Sequence, residues 1–356
     1  MEVSHAELER IIEVAYEKKL PLFIWGPPGI GKSYSVRQTA QRIAQKLGLR
    51  FDERDIEDGK FGFQDVRISQ LDPSDLRGLP KVEGSVTRWL PPNWLPRNPQ
   101  SRGILFFDEL NLAPPSIQAA CYQLILDRRL GDYRLPDGWT IIAAGNRLED
   151  RANVFEMPAP LANRFLHVTL KVPSVEEWTE WALKHSIDHR IVGFLNNKQD
   201  ALFKFDAKIK EKAFPTPRSW EFCSRLIEGV KEEQELLTLS SAAVGYATAV
   251  QFVAFIKLQE TIDINKIFKE PERVKQLDRP DLKYALVSLF ADQFSKNKKK
   301  LDNIVATFPY LEPEYVVLTL RMLKNIDKSY LKANLGKSPV FRQHNMAAQY
   351  APLLSD

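Results

Sequence analysis

Cysteine is almost absent from this sequence: of 356 residues only Cys121 and Cys223 carry a thiol. Each sits in a helical pattern among apolar neighbours, which excludes a disulfide scaffold and predicts buried free thiols in a reducing compartment. No apolar run approaches the ~20 residues that cross a bilayer. The first residues also lack the basic-then-apolar order of a secretion signal, so a cytoplasmic protein is expected. Histidine is scarce, at five. His185 and His189 stand four apart, but the glutamate of a zinc-protease motif does not lie between them, and no zinc site is read from the pair. Excess charge of one sign is lacking too: 50 Lys and Arg against 46 Asp and Glu leave +4. That is too little to imply nucleic acid by itself, although it allows a local basic patch.

What is present is an ordinary globular composition, 44% hydrophobic and 27% charged, in a chain long enough for two or three domains with sizeable cores. Its organising stretch is Gly26-Pro27-Pro28-Gly29-Ile30-Gly31-Lys32-Ser33, between the apolar run Leu22-Phe23-Ile24-Trp25 and a helical pattern from Tyr34 to Leu47. The glycines permit backbone angles that turn successive N–H groups into an anion-binding concavity, and the helix adds the positive end of its dipole. Lys32 is placed to reach β- and γ-phosphates and the Ser33 hydroxyl to hold Mg²⁺. The nucleotide-binding set is Gly26, Pro27, Pro28, Gly29, Ile30, Gly31, Lys32, Ser33 and Tyr34.

A second apolar run, Gly103-Ile104-Leu105-Phe106-Phe107, ends in Asp108-Glu109. It predicts a buried parallel strand delivering two carboxylates to the sheet edge where ligands bind. Asp108 would hold Mg²⁺ and Glu109 would polarise an attacking water. A third run, Thr140-Ile141-Ile142-Ala143-Ala144, carries Asn146 just beyond its end, where an amide can orient water near a γ-phosphate. A strand is also expected at 66–69, after a connection over 51–64 to which no chemistry is assigned.

Ser4 with Glu7, and Ser174 with Glu177, have capping-box spacing, and Thr216 is placed to cap a helix with Pro217 first and Arg218 next. Phe222, Cys223, Leu226, Ile227 and Val230 are expected on that helix's apolar face. The proline-rich stretch 79–96, with Trp89 and Trp94, predicts a surface element with a hairpin turning at Gly84. A second hairpin is read at 133–139, turning at Asp137-Gly138. The composition changes near Pro173, helices dominate beyond it, and the stretch 342–356 reads as a tail that orders only against a neighbour.

Phosphate loop, Asp-Glu strand, Asn-tipped strand and a helical region with an early arginine stand in that order, and the chain resembles the AAA+ ATPases, among them the MoxR group. The likeness rests on the phosphate loop, Asp75-Leu76-Arg77-Gly78, Asp108-Glu109-Leu110-Asn111-Leu112-Ala113-Pro114-Pro115, Ala144-Gly145-Asn146, Pro160-Leu161-Ala162-Asn163-Arg164-Phe165 and Thr216-Pro217-Arg218. One departure is Arg147, where many relatives carry proline. The resemblance implies an α/β fold, a parallel sheet flanked by helices over residues 1–172, with pore-facing insertions at about 79–96 and 131–139. A helical lid over 173–260 would follow; a second departure is the helical extension expected over 261–356, which matches nothing in the group and to which no role is assigned. The resemblance implies an Mg²⁺-dependent ATPase in which Asn146 is the sensor-1 residue, Arg218 the sensor-2 arginine, and Arg164 an arginine finger completing a neighbour's site. The assembly implied is a ring, as a hexamer, that remodels a protein client such as one with a von Willebrand factor A domain, gripped by Trp89, Leu90 and Trp94. Two other readings stand beside it: a nucleic-acid motor like the nucleotide-hydrolysing subunit of modification-dependent restriction systems, and a scaffold that binds ATP without turning it over.

Overall fold

The structure, a computed structural model, describes residues 1–53, 59–150, 155–205, 212–343 and 346–350. The chain divides into two compact units, Met1–Pro173 and Ser174–Asp356.

The first unit is built on a seven-stranded sheet, with helices on both of its faces. Its strands are β1 (Glu2–Val3), β2 (Leu22–Trp25), β3 (Arg50–Asp52), β4 (Lys60–Arg67), β7 (Arg102–Asp108), β10 (Gly138–Gly145) and β11 (Leu166–Leu170), in the order β1-β11-β2-β10-β7-β4-β3. Every pairing is parallel, so all carboxyl ends fall on one edge. Leu22, Phe23, Ile24 and the run Ile104 to Phe107 are fully buried, as expected of strands covered on both faces. One face carries α1 (His5–Lys18) and α2 (Lys32–Lys46). The Ser4 box is formed, Ser4 N donating to Glu7 Oε2 at 2.8 Å and Glu7 N to Ser4 Oγ at 3.3 Å. The other face carries α3 (Pro73–Arg77), α4 (Pro115–Asp127) and α5 (Ala159–Ala162). There Leu76, Cys121, Leu124 and Leu161 pack with Phe23, Phe107 and Trp139, each full burial of such a side chain contributing about 1.5–3 kcal/mol.

Several expectations need correction. The strand expected at 66–69 begins at Lys60, so much of the supposed connection is a sheet strand, and Ile68–Gln70 is a 3-10 turn beyond its end. The first hairpin forms as expected, with β5 (Leu79–Glu83) antiparallel to β6 (Val86–Leu90) and every residue of both strands exposed. Gly78 closes its base at φ +83°, where a Cβ would lie 1.8 Å from the Leu90 carbonyl oxygen, so no other residue fits. The second hairpin is shifted: β8 (Arg129–Leu130) pairs with β9 (Tyr133–Arg134) across Gly131-Asp132. Gly138 instead opens β10, because that strand's register against Arg102 claims it.

The second unit is helical around one apolar cluster running from Val175 to Tyr350. Its first helices are α6 (Val175–Lys184), α7 (His189–Asn197) and α8 (Pro217–Leu226). The Ser174 box is formed. Thr216 caps α8, accepting from Ser219 N at 3.0 Å. On α8, Trp220, Cys223 and Ile227 are buried, but Phe222 and Leu226 are 49% and 44% exposed, so the apolar face is narrower than expected. His185 caps the end of α6 and His189 begins α7. The two belong to different elements, and no group of three potential metal ligands occurs among the described residues. The expected tail is also corrected: Phe341, Met346 and Tyr350 are buried in this unit's own core, while 351–356 lie outside the described residues. Both cysteines are free and buried, and burial pushes their thiols up, Cys121 to about 12 and Cys223 to about 11.

Candidate active site

Three segments meet on the carboxyl edge of the sheet because β2, β10 and β7 are neighbours running the same way. The phosphate loop leaves β2, with Gly26, Gly29 and Gly31 at φ +155°, +77° and +99°. A Cβ on Gly26 would meet Ile30 at 2.9 Å and the Leu170 carbonyl at 3.1 Å, so both conformation and space select glycine there. The loop ends at the first turn of α2, whose N–H groups and dipole favour an anion.

Lys32 is buried, and its ammonium donates to Gly26 O at 2.6 Å, Pro27 O at 2.9 Å and Asn146 Oδ1 at 3.0 Å. The Asn-tipped strand and the phosphate loop are thus joined through one cation. The Ser33 hydroxyl donates to Asp108 Oδ2 at 2.9 Å, bringing the two expected metal ligands together. An alcohol and one carboxylate, both oxygen donors, fit Mg²⁺, which keeps few protein ligands and completes its shell with water and phosphate. Tyr34, the last of the nucleotide-binding set, is 37% exposed on the first turn of α2.

Glu109 follows at φ +56°, a left-handed backbone that costs a non-glycine residue free energy and concentrates at functional positions. Its Oε2 accepts from Ser69 Oγ at 2.9 Å. Ser69 belongs to the turn after β4, which reaches the same edge because β4 pairs with β7. Asn111 is 2% exposed and its Nδ2 donates to Asn146 O at 2.7 Å. It fits only because Gly145 has no side chain, since a Cβ there would lie 2.2 Å from Asn111 Oδ1. His5 Nε2 bonds Ile30 O at 2.9 Å, tying the start of α1 to the loop. Asp65 is exposed at its surface, yet desolvation by the neighbouring backbone and side chains, and then the negative charge of Asp108, push its carboxyl up to about 6.

Sequence reading missed Ser69, His5 and Asp65, and it carried Asn111 inside a motif without a role. Their interactions cross 25 to 43 positions, and only the segment order around Asn111 carried any signal. Arg147, one departure from the family pattern, donates from Nε and Nη2 to Asp150 at 3.1 and 2.9 Å.

Arg164 lies before β11 on the amino edge, opposite its own phosphate loop. It donates to Tyr122 OH at 3.2 Å. Arg218 is the second residue of α8 in the second unit and is exposed. Trp89 and Leu90 are 40% and 51% exposed on β6. Trp94 is not a tip: its ring meets Phe107 edge-on at 6.4 Å and its Nε1 donates to Asp75 O at 3.2 Å.

Residues 21–165 match the profile of the AAA domain, dynein-related subfamily, so the first unit carries an AAA domain in an AAA+ fold. No curated protein matches the chain. Among solved structures, a RuvB mutant from Thermotoga maritima is similar at 18% identity and TM-score 0.35, over 73% of this chain and 75% of that one. NtrX from Brucella abortus in complex with ADP is similar at 14% identity and TM-score 0.34, over 97% and 68%. Likenesses this distant assign no activity.

Proposed function

We propose that this chain is an ATP-hydrolysing subunit of a ring, of the MoxR kind, that remodels a partner protein. One observation carries the reading. Lys32, Ser33, Asp108, Glu109 and Asn146 converge on one sheet edge, linked by the Lys32–Asn146 and Ser33–Asp108 hydrogen bonds.

In this reading the loop amides and Lys32 bind the β- and γ-phosphates, and Ser33 and Asp108 would hold Mg²⁺, which would supply positive charge to the transferring phosphoryl. Glu109, whose carboxylate accepts from Ser69, orients and polarises the attacking water. Asn146 senses the γ-phosphate side, held in place by Asn111 through its backbone carbonyl. Arg164 stands on the wrong edge to serve its own loop, which supports action on a neighbour's nucleotide. An arginine finger supplied in this way is worth about 10³- to 10⁵-fold in rate. A ring, as a hexamer, then becomes the catalytic unit, and Arg218 takes the lid arginine's role. The exposed hairpin β5–β6, with Trp89 and Leu90, is the surface offered to a protein client, such as one with a von Willebrand factor A domain. A cytoplasmic site accords with the two buried free thiols.

The test uses Glu109→Gln, expected to bind ATP without turnover, as bait in native lysate with and without nuclease. A nuclease-resistant protein held only with ATP, and lost on Trp89→Ala, supports the reading. Capture of nucleic acid, with partners lost to nuclease, replaces it with the restriction-like motor. Turnover unchanged in Glu109→Gln removes the assigned chemistry.

A further inference from the structure

We propose that Lys19 and Arg128 form, with Arg164, an anion-binding cleft that receives the acidic, nucleotide-carrying edge of a second copy of this chain. The inference rests on the ATPase reading above and extends it to two cations that no motif contains.

The cleft has room for about 160 Å³ and is lined by Lys19, Pro21, Ile125, Leu126, Arg128, Ile141 and Arg164. Three of these are cations. They come from the end of α1, the end of α4 and the approach to β11, so the parallel sheet gathers them on its amino edge. Lys19 and Arg128 are the C-caps of α1 and α4, in the left-handed conformation that ends many helices, at φ +57° and +55°.

Among the described residues none of the three cations has a carboxylate within ion-pair distance. Arg128 Nη2 donates to the carbonyls of Pro136 and Trp139 at 2.7 and 2.9 Å. Arg164 spends one nitrogen on Tyr122 OH and lies over that ring at 5.6 Å, while its Nε is buried without a partner. The Lys19 ammonium sits 4.1 Å from the centre of the Tyr16 ring. Burial first, then the charges of Arg128 and Arg102, lower Lys19 to about 8, with only Asp137 opposing. A half-buried group of repelling cations with an unfilled donor is a site short of an anion.

The first unit supplies a complement on its opposite edge, where Asp108 meets Ser33 at the end of the phosphate loop, Glu109 follows it, and bound nucleotide would add its phosphates. Opposite charges on opposite edges of one sheet favour a head-to-tail contact, which closes into a ring when the rotation permits. Arg164 would provide the catalytic contact, and Lys19 and Arg128 would position the neighbour's edge around it.

Full-length Lys19→Glu, Lys19→Arg and Glu109→Gln decide the matter. Sedimentation velocity with a non-hydrolysable ATP analogue is expected to show assemblies for wild type and Lys19→Arg, and weakened association for Lys19→Glu. Steady-state ATPase of Lys19→Glu at low protein concentration should fall about tenfold. Mixed one to one with Glu109→Gln, it should regain turnover, because the partner's intact cleft then completes its site. Unchanged association and turnover in a Lys19→Glu protein that melts like wild type would overturn the proposal, as would loss of turnover without recovery on mixing. Absence of turnover in wild type would refute the ATPase reading instead, and the sedimentation arm would still judge the cleft.

Discussion

Asn111→Asp changes one atom pair and should show whether the buried amide holds the Asn146 strand end. In the native chain Asn111 is 2% exposed, Nδ2 donates to Asn146 O at 2.7 Å and Oδ1 has no partner. An ionised aspartate of the same shape sets a buried carboxylate against a carbonyl. Burial of that kind raises a carboxyl by about 3 units, and each unit is worth about 1.4 kcal/mol, so the cost at pH 7 is about 4 kcal/mol. For a unit of this size 1 kcal/mol moves the melting point by about 2–4 °C, giving a fall of about 8–16 °C. The sign with pH is definite. The folded-state pKa lies above the unfolded one, so the variant's stability is fully present below about pH 4, where the acid O–H can donate to Asn146 O, and is lost as pH rises toward 7. Asn111→Ala loses one hydrogen bond and leaves a carbonyl short, about 1–2 kcal/mol at any pH, partly offset because an unpartnered oxygen also disappears. Calorimetry from pH 4 to 8 on the full chain, following the transition that ATP shifts, reads all three proteins. An Asn111→Asp deficit that is flat with pH, or below about 3 °C at pH 7, would refute the argument.

Asp65→Asn should have the opposite sign. With the native carboxyl up near 6, folding loses stability as pH rises from about 4 through 6. Asparagine should therefore melt higher at pH 7 by about 1 kcal/mol, discounted for solvent exposure, and match wild type below pH 4; urea titration at both pH values checks this. The two tryptophans of the 79–96 stretch should separate. Trp94→Ala, which strips the edge contact with Phe107 and the bond to Asp75 O, should destabilise the first unit by about 2–3 kcal/mol. Trp89→Ala should stay within about 0.5 kcal/mol while client capture is lost, a split that melting curves beside pull-downs will register.

Much of this site was legible because its chemistry is local. The phosphate loop needs glycines at set intervals between a buried strand and a helix start, and all of those requirements lie within a dozen residues. The Asp108-Glu109 pair was marked by the apolar run that precedes it, and the caps at Ser4, Ser174 and Thr216 by spacing over three positions. The shifted second hairpin was misread because a plausible Asp137-Gly138 turn competes with strand register against β7, and register is a long-range property. Trp94 was misread for the same reason: exposure depends on Phe107, thirteen positions on.

The amino-acid sequence by itself marked which segments are candidates for phosphate, metal and water chemistry, since those demands are met by neighbours along the chain. Tertiary structure alone decided which residues support them. Ser69 reaches Glu109 because β4 pairs with β7, and Asn111 reaches Asn146 because Gly145 leaves room. Arg164, Lys19 and Arg128 share the far edge because parallel strands send every amino end one way. No local pattern encodes these meetings, because each depends on how strands far apart in sequence order themselves in one sheet.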